Sequence, residues 1–109
     1  MKQIKAFVHR SRVSDIAHAL GAAGFNRLSL FDVEGLLRAL NAREQQYSVE
    51  FGGQVVSEMQ MELFCEDNEV ADAVTIFQRL GRTGRTVSGW LYVSSVEESF
   101  VIGDGHEEA

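Results

Sequence analysis

Apolar and polar residues alternate along the first nine positions. Ile4, Ala6 and Val8 fall on one side of an extended chain and Lys5, Phe7 and His9 on the other, which predicts a strand over residues 2–9 with one well-covered face. From Val13 the period lengthens. Val13, Ile16, Ala17 and Leu20 recur at helical spacing, Ser11 can cap the segment, Asp15 sits in its first turn, and Gly21 and Gly24 end it. Residues 27–34 return to the strand pattern, with Leu28 and Leu30 opposite Ser29, Phe31 and Val33.

Between Gly35 and Gly53 the periodicity breaks down around scattered Leu37, Leu40, Tyr47, Val49 and Phe51. Leu36 to Gln46 reads either as a short helix or as part of a long loop between two strands. Loops of that length inside compact domains are uncommon and usually functional or disordered. The longest alternating run follows, Gln54 to Cys65, with Met59, Met61, Leu63 and Cys65 against Glu58, Gln60, Glu62 and Phe64, and predicts a long central strand. Asp67 is placed to cap a second helix whose buried face is Val70, Ala73, Val74, Phe77 and Leu80, with Gly81 closing it. Trp90 to Val93 makes a further strand and Ser99 to Ile102 a further apolar segment. The tail, G-D-G-H-E-E-A, is expected to be mobile.

The order is β-α-β, a long loop, then β-α-β. Two such halves build an α+β ferredoxin-like sandwich, an antiparallel sheet with both helices on one face. On the opposite face of that sheet Phe7, Phe31, Phe64 and Tyr92 recur, more apolar surface than a free monomer exposes. Oligomerisation through the sheet is the simplest remedy.

Composition narrows the function. A chain of 109 residues is a single domain, and a net charge of −6 argues against nucleic acid or anionic membrane surfaces as partners. No apolar run is long enough to span a bilayer, the first residues lack a signal-peptide core, and the single cysteine, Cys65, fits a reducing compartment. A cytoplasmic protein with no direct membrane insertion is expected.

Against this acidic background three of the ten basic residues, Arg79, Arg82 and Arg85, fall within seven positions. Gly81 and Gly84 interrupt them, and Thr83, Thr86 and Ser88 add hydroxyls. Guanidinium groups grip phosphate or carboxylate in pairs, glycines let backbone N–H groups approach a ligand, and hydroxyls add donors, so the stretch reads as an anion-binding loop. The alternative for Arg79 by itself is a cation suiting the end of the helix dipole, with Gly81 as the C-cap. Other chemistry is thin. His9, His18, His106 and Cys65 share no metal-ligand spacing, no nucleophile motif appears, and no catalytic residue or metal ligand is assigned.

Four stretches together resemble the PII signalling family and its PII-like relatives. They are the opening M-K-x-I-x-A, E-G-x-x-R at Gly35 and Arg38, R-T-G-[KR] at Arg82 to Arg85, and V-S-x-V-E-E at Val93 to Glu98. The resemblance runs from Met1 to about Glu108. It implies a single domain over 1–109 with a ferredoxin-like fold, three subunits packed sheet to sheet as a homotrimer, and adenine nucleotides in the clefts between them. A long T-loop, here about 36–54, would dock on an as yet unidentified target protein. Residues 82–89 would be the B-loop, and Ile102 to His106 the C-loop, in a terminal region of about 102–109. Carried over by position, the nucleotide-binding residues would be Ser29, Gly35, Leu36, Leu37, Arg38, Glu62, Leu63 and Phe64 around the nucleoside. Arg82, Thr83, Gly84, Arg85, Ser88, Gly89 and Trp90 would stand at the phosphates.

Several positions depart from the family. Trp90 stands for a lysine, and Val101 and Gly103 for two arginines, that hold the outer phosphates in well-known members; Val87 replaces a loop glycine. Each lost charge-assisted bond is worth roughly 1.5–3 kcal/mol, so AMP, ADP or a cyclic nucleotide fits better than ATP. Ala39 replaces a glutamine and Glu58 a lysine used with Mg–ATP and 2-oxoglutarate, and Phe51 occupies the position of the modified tyrosine. These losses resemble PII-like relatives associated with carboxysomes and inorganic carbon, which would make bicarbonate a second ligand. The alternatives are a nitrogen-regulatory PII, a trimeric metal-binding protein resembling the divalent-cation-tolerance proteins, and a weak nucleotide hydrolase.

Overall fold

The computed structural model describes residues 1–32 and 58–103. The two halves of the chain each fold as expected from their periodicity. The first consists of strand β1 (Lys2–His9), helix α1 (Val13–Ala22) and strand β2 (Leu28–Asp32). The second consists of strand β3 (Glu58–Cys65), helix α2 (Val70–Leu80) and strand β4 (Trp90–Ser95). The sheet order is β2-β3-β1-β4 and every neighbouring pair is antiparallel, so each half threads a strand of the other between its own two. This is the ferredoxin-like arrangement. The predicted loop or helix at Leu36–Gln46, residues 33–34 and 54–57 of the two flanking strands, and the tail beyond Gly103 lie outside the described residues.

One face of the sheet carries the core. Ile4, Met61 and Leu63 from the strands and Ile16 and Leu20 from α1 are fully buried, and Ala73 and Phe77 bring α2 onto the same layer. The helices therefore cover the face that alternation assigned to Ile4, Ala6 and Val8. Helix α1 ends in a Schellman motif: Gly24 takes φ +93°, its N–H reaches Gly21 O at 3.1 Å, and Phe25 N–H reaches Leu20 O at 3.0 Å. Phe25 and Leu20 both enter the core, as the motif favours. Of the two glycines read as the stop, Gly24 is the stop and Gly21 lies inside the last turn.

Both expected helix caps are displaced. A 3-10 turn, Arg10–Arg12, precedes α1, and within it His9 Nδ1 accepts the Ser11 N–H at 3.2 Å, while Ser11 Oγ lies 2.8 Å from the same ring nitrogen. A second 3-10 turn, Asp67–Glu69, precedes α2. There the Glu69 carboxylate accepts the Glu66 N–H at 2.9 Å, and Asp67 pairs instead with the α-amino group of Met1 at 2.9 Å. That hydrogen bond holds the Asp67 carboxyl below its usual range. The apolar segment Ser99 to Ile102 forms neither helix nor strand, and Phe100 and Ile102 are exposed.

The face of the sheet without helices shows two cross-strand rows. Phe31, Gln60, Phe7 and Trp90 form one, and Ser29, Glu62, Lys5 and Tyr92 the next. Phe7 and Tyr92 meet edge to face with ring centroids 6.2 Å apart. Phe31, Trp90 and Tyr92 are exposed on this face.

Candidate functional site

The Arg-rich loop leaves the end of α2 and returns to the sheet at β4. Its closure is local. Thr83 N–H and Thr83 Oγ1 both donate to Ser88 Oγ, at 3.0 and 3.2 Å, and Ser88 Oγ lies 3.4 Å from the Arg85 carbonyl oxygen. Gly84 supplies a positive φ of +90° at the bend. Gly89 has a different role: a Cβ there would stand 2.3 Å from the Phe7 carbonyl oxygen, so only glycine lets the loop press onto β1 before Trp90 enters the sheet.

Beside the loop lies a cleft of about 600 Å³ between the end of α2 and the β1–β4 edge. Arg82, Gly84, Arg85, Ser88, Gly89 and Trp90, all among the expected phosphate residues, line it. Thr83 shapes it from behind through Ser88. Both guanidinium-bearing residues are exposed, and among the described residues no carboxylate lines the cleft. The site thus offers cations and hydroxyls, a set that suits an anion.

The expected nucleoside residues fall elsewhere on the subunit. Ser29 and Glu62 are register partners on the helix-free face, with Phe64 two positions further along β3. The Leu63 side chain is fully buried in the core, so only its main chain could face a ligand. Gly35, Leu36, Leu37 and Arg38 lie outside the described residues. Strand β1 separates β3 from β4, so one subunit divides these residues into two groups, two strand spacings or about 10 Å apart.

Sequence reasoning missed a polar chain on the same face. Gln3 Nε2 donates to Glu62 Oε1 at 2.6 Å, and Ser94 Oγ donates to Gln3 Oε1 at 3.4 Å. Strand parity could have placed these three residues together, but their pairing needs the register of β3 and β4 on β1. The position of Trp90 beside Tyr92 on that face was available from the same parity. Cys65, at the end of β3, is a buried thiol whose pKa is raised, first by burial and then by Glu69 and Glu66. Among the described residues no group of three His, Cys, Asp or Glu side chains is arranged to hold a metal, and no helix is long and apolar enough to cross a membrane.

Comparison with known proteins covers nearly the whole chain. The family described as Nitrogen regulatory protein P-II matches residues 1–106. The nitrogen regulatory protein P-II of Rhodospirillum rubrum is 26% identical over 105 residues, 96% of this chain and 94% of its own length. That of Bradyrhizobium diazoefficiens is 25% identical over the same shares of both chains. The nitrogen regulatory protein P-II 1 of Methanothermobacter thermautotrophicus is 23% identical, covering 96% of this chain and 91% of its own.

Proposed function

Since the chain belongs to the nitrogen regulatory protein P-II family, a family of regulatory signalling proteins, we propose that it binds an adenine nucleotide between subunits of a homotrimer and signals its occupancy to a target protein through the segment about 36–54. The observation that carries this reading is the cleft at the loop, where Arg82 and Arg85 stand exposed and no carboxylate among the described residues lines the cleft. The division of the expected site supports the assembly. Ser29, Glu62 and Phe64 are on β2 and β3 and the loop is at β4, so a second subunit packed on the aromatic face would bring one group against the other.

The ligand is AMP, ADP or a cyclic adenine nucleotide rather than ATP. Among the described residues two arginines line the cleft, and Trp90, Val101 and Gly103 supply no further cation. Equilibrium dialysis against AMP, ADP, cyclic AMP and ATP tests this, with ATP expected to bind weakest; preference for ATP contradicts it. The resemblance to carbon-associated relatives adds bicarbonate as a second ligand, read as a change in nucleotide affinity when bicarbonate is present. Unchanged affinity removes bicarbonate from the account and leaves the nucleotide reading in place.

A further inference from the structure

We infer that the end of the subunit where Arg10, Arg12 and Arg79 join the loop arginines is a docking face for an acidic surface of the target protein. This assignment rests on the reading above that a target is docked, and it needs no nucleotide.

The register places the residues. His9 pairs with Glu58 and Phe7 with Trp90, so β1 ends, β3 begins and β4 begins at one end of the sheet. The turn into α1 and the exit from α2 lie there too. Arg10 and Arg12 come from the turn, Arg79 from the last turn of α2, and Arg82 and Arg85 from the loop that follows. Five of the chain's ten basic residues thus converge from two stretches far apart in sequence. Asp15, Asp32 and Glu58 are the carboxylates at that end among the described residues. The opposite end is acidic: Glu66, Asp67, Glu69 and Asp72 open α2, and Glu97 and Glu98 follow Val96, whose N–H donates to the Met1 carbonyl oxygen. Against them stand Lys2 and Arg27.

The chemistry of the face selects its partner. All five cations are arginine, and both lysines of the chain, Lys2 and Lys5, lie elsewhere. Guanidinium forks pair with carboxylates two bonds at a time, and they lose less freedom in doing so than an ammonium on a flexible stem. Arg12 is half-buried with its Nε enclosed, which holds its head in place before a partner arrives. An extended polyanion or an anionic membrane would reach past this end to a chain of net charge −6. A compact acidic patch on a protein meets the arginines alone. The segment proposed to contact the target also starts and finishes here, since β2 ends at Asp32 and β3 begins at Glu58.

The test measures fluorescence anisotropy of a labelled oligoglutamate peptide with the full chain, at low salt and at about 150 mM salt, where screening acts beyond about 8 Å. The wild type is expected to bind, more weakly at the higher salt. Arg79→Gln is expected to weaken the peptide about threefold and the Arg12→Gln, Arg79→Gln double variant about tenfold. Arg27→Gln makes the same change of charge at the opposite end and is expected to keep the wild-type affinity. Arg79 is exposed on its helix, so the single variant carries the test should the double variant not fold. An equal loss in Arg27→Gln and Arg79→Gln assigns the effect to net charge and overturns the face. No peptide binding by the wild type overturns it, as does tighter binding of a DNA oligonucleotide of the same charge. Peptide binding by a chain that binds no AMP leaves this face standing and overturns the nucleotide reading.

Discussion

Gln3 Nε2 donates to Glu62 Oε1 over 2.6 Å across the β1–β3 ladder, on the face of the sheet that carries no helix. That carboxylate, held by a neighbouring strand, shares the face with Phe7, Phe31, Phe64 and Tyr92. Lys5 and Ser94 complete the polar positions around it. The mixture of ordered polar groups and exposed rings suits the subunit packing proposed above.

The first prediction follows from this face. Tyr92 is 58% exposed and packs edge to face on Phe7, so Tyr92→Glu would place an unpaired charge in the proposed sheet packing. Wild-type protein is expected to show three times the 12.1 kDa subunit mass by light scattering, and the variant a smaller mass with an unchanged far-UV spectrum. A wild-type mass of one subunit contradicts the assembly.

Two glycines give opposite outcomes on substitution by alanine. At Gly89 the added Cβ meets the Phe7 carbonyl oxygen at 2.3 Å, and backbone has nowhere to go. Overpacking of this kind costs about 1–3 kcal/mol. At Gly21, exposed and within α1, nothing lies within 4 Å. Alanine there removes unfolded-state freedom and improves helix propensity, with a gain of about 0.5–1 kcal/mol. Urea midpoints should fall for Gly89→Ala and rise for Gly21→Ala.

The strand and helix faces were legible because alternation and helical spacing need only local sequence. Phe7, Phe31, Phe64 and Tyr92 share the helix-free face that parity assigned to them, and Ile16, Leu20, Ala73 and Phe77 are buried as their spacing required. The caps were not legible, because a 3-10 turn before each helix moves the helix start beyond Ser11 and Asp67. Nor was the bond from Gln3 to Glu62, whose partners are 59 positions apart and meet only through the sheet register. The anion-binding loop stood out because its arginines contrast with an acidic chain. That its cleft and the residues on β2 and β3 form separate groups on one subunit is a property of strand order.

Cys65 provides a pH-dependent check on the core. Its thiol is buried, and burial followed by Glu69 and Glu66 raises its pKa above the ordinary value. A raised folded-state pKa means that the protonated form is the one folding favours. The stability linked to it is fully present below the unfolded thiol pKa of about 8.5 and is lost as pH rises through the higher folded value. Urea midpoints should therefore decline above about pH 8.5, the decline should be reduced in Cys65→Ala, and the native thiol should react slowly with alkylating reagents near neutral pH. Rapid alkylation of the folded protein contradicts the burial.

The central claim is that the pinned loop at Arg82 to Gly89 holds the phosphate of a nucleotide. Calorimetric titration of AMP into the wild-type chain and into the Arg82→Ala, Arg85→Ala double variant tests it most directly. The account predicts at least tenfold weaker binding in the variant, about 1.4 kcal/mol, with the oligomer mass unchanged. Equal affinity in the two proteins, or no heat of binding in the wild type, would contradict it.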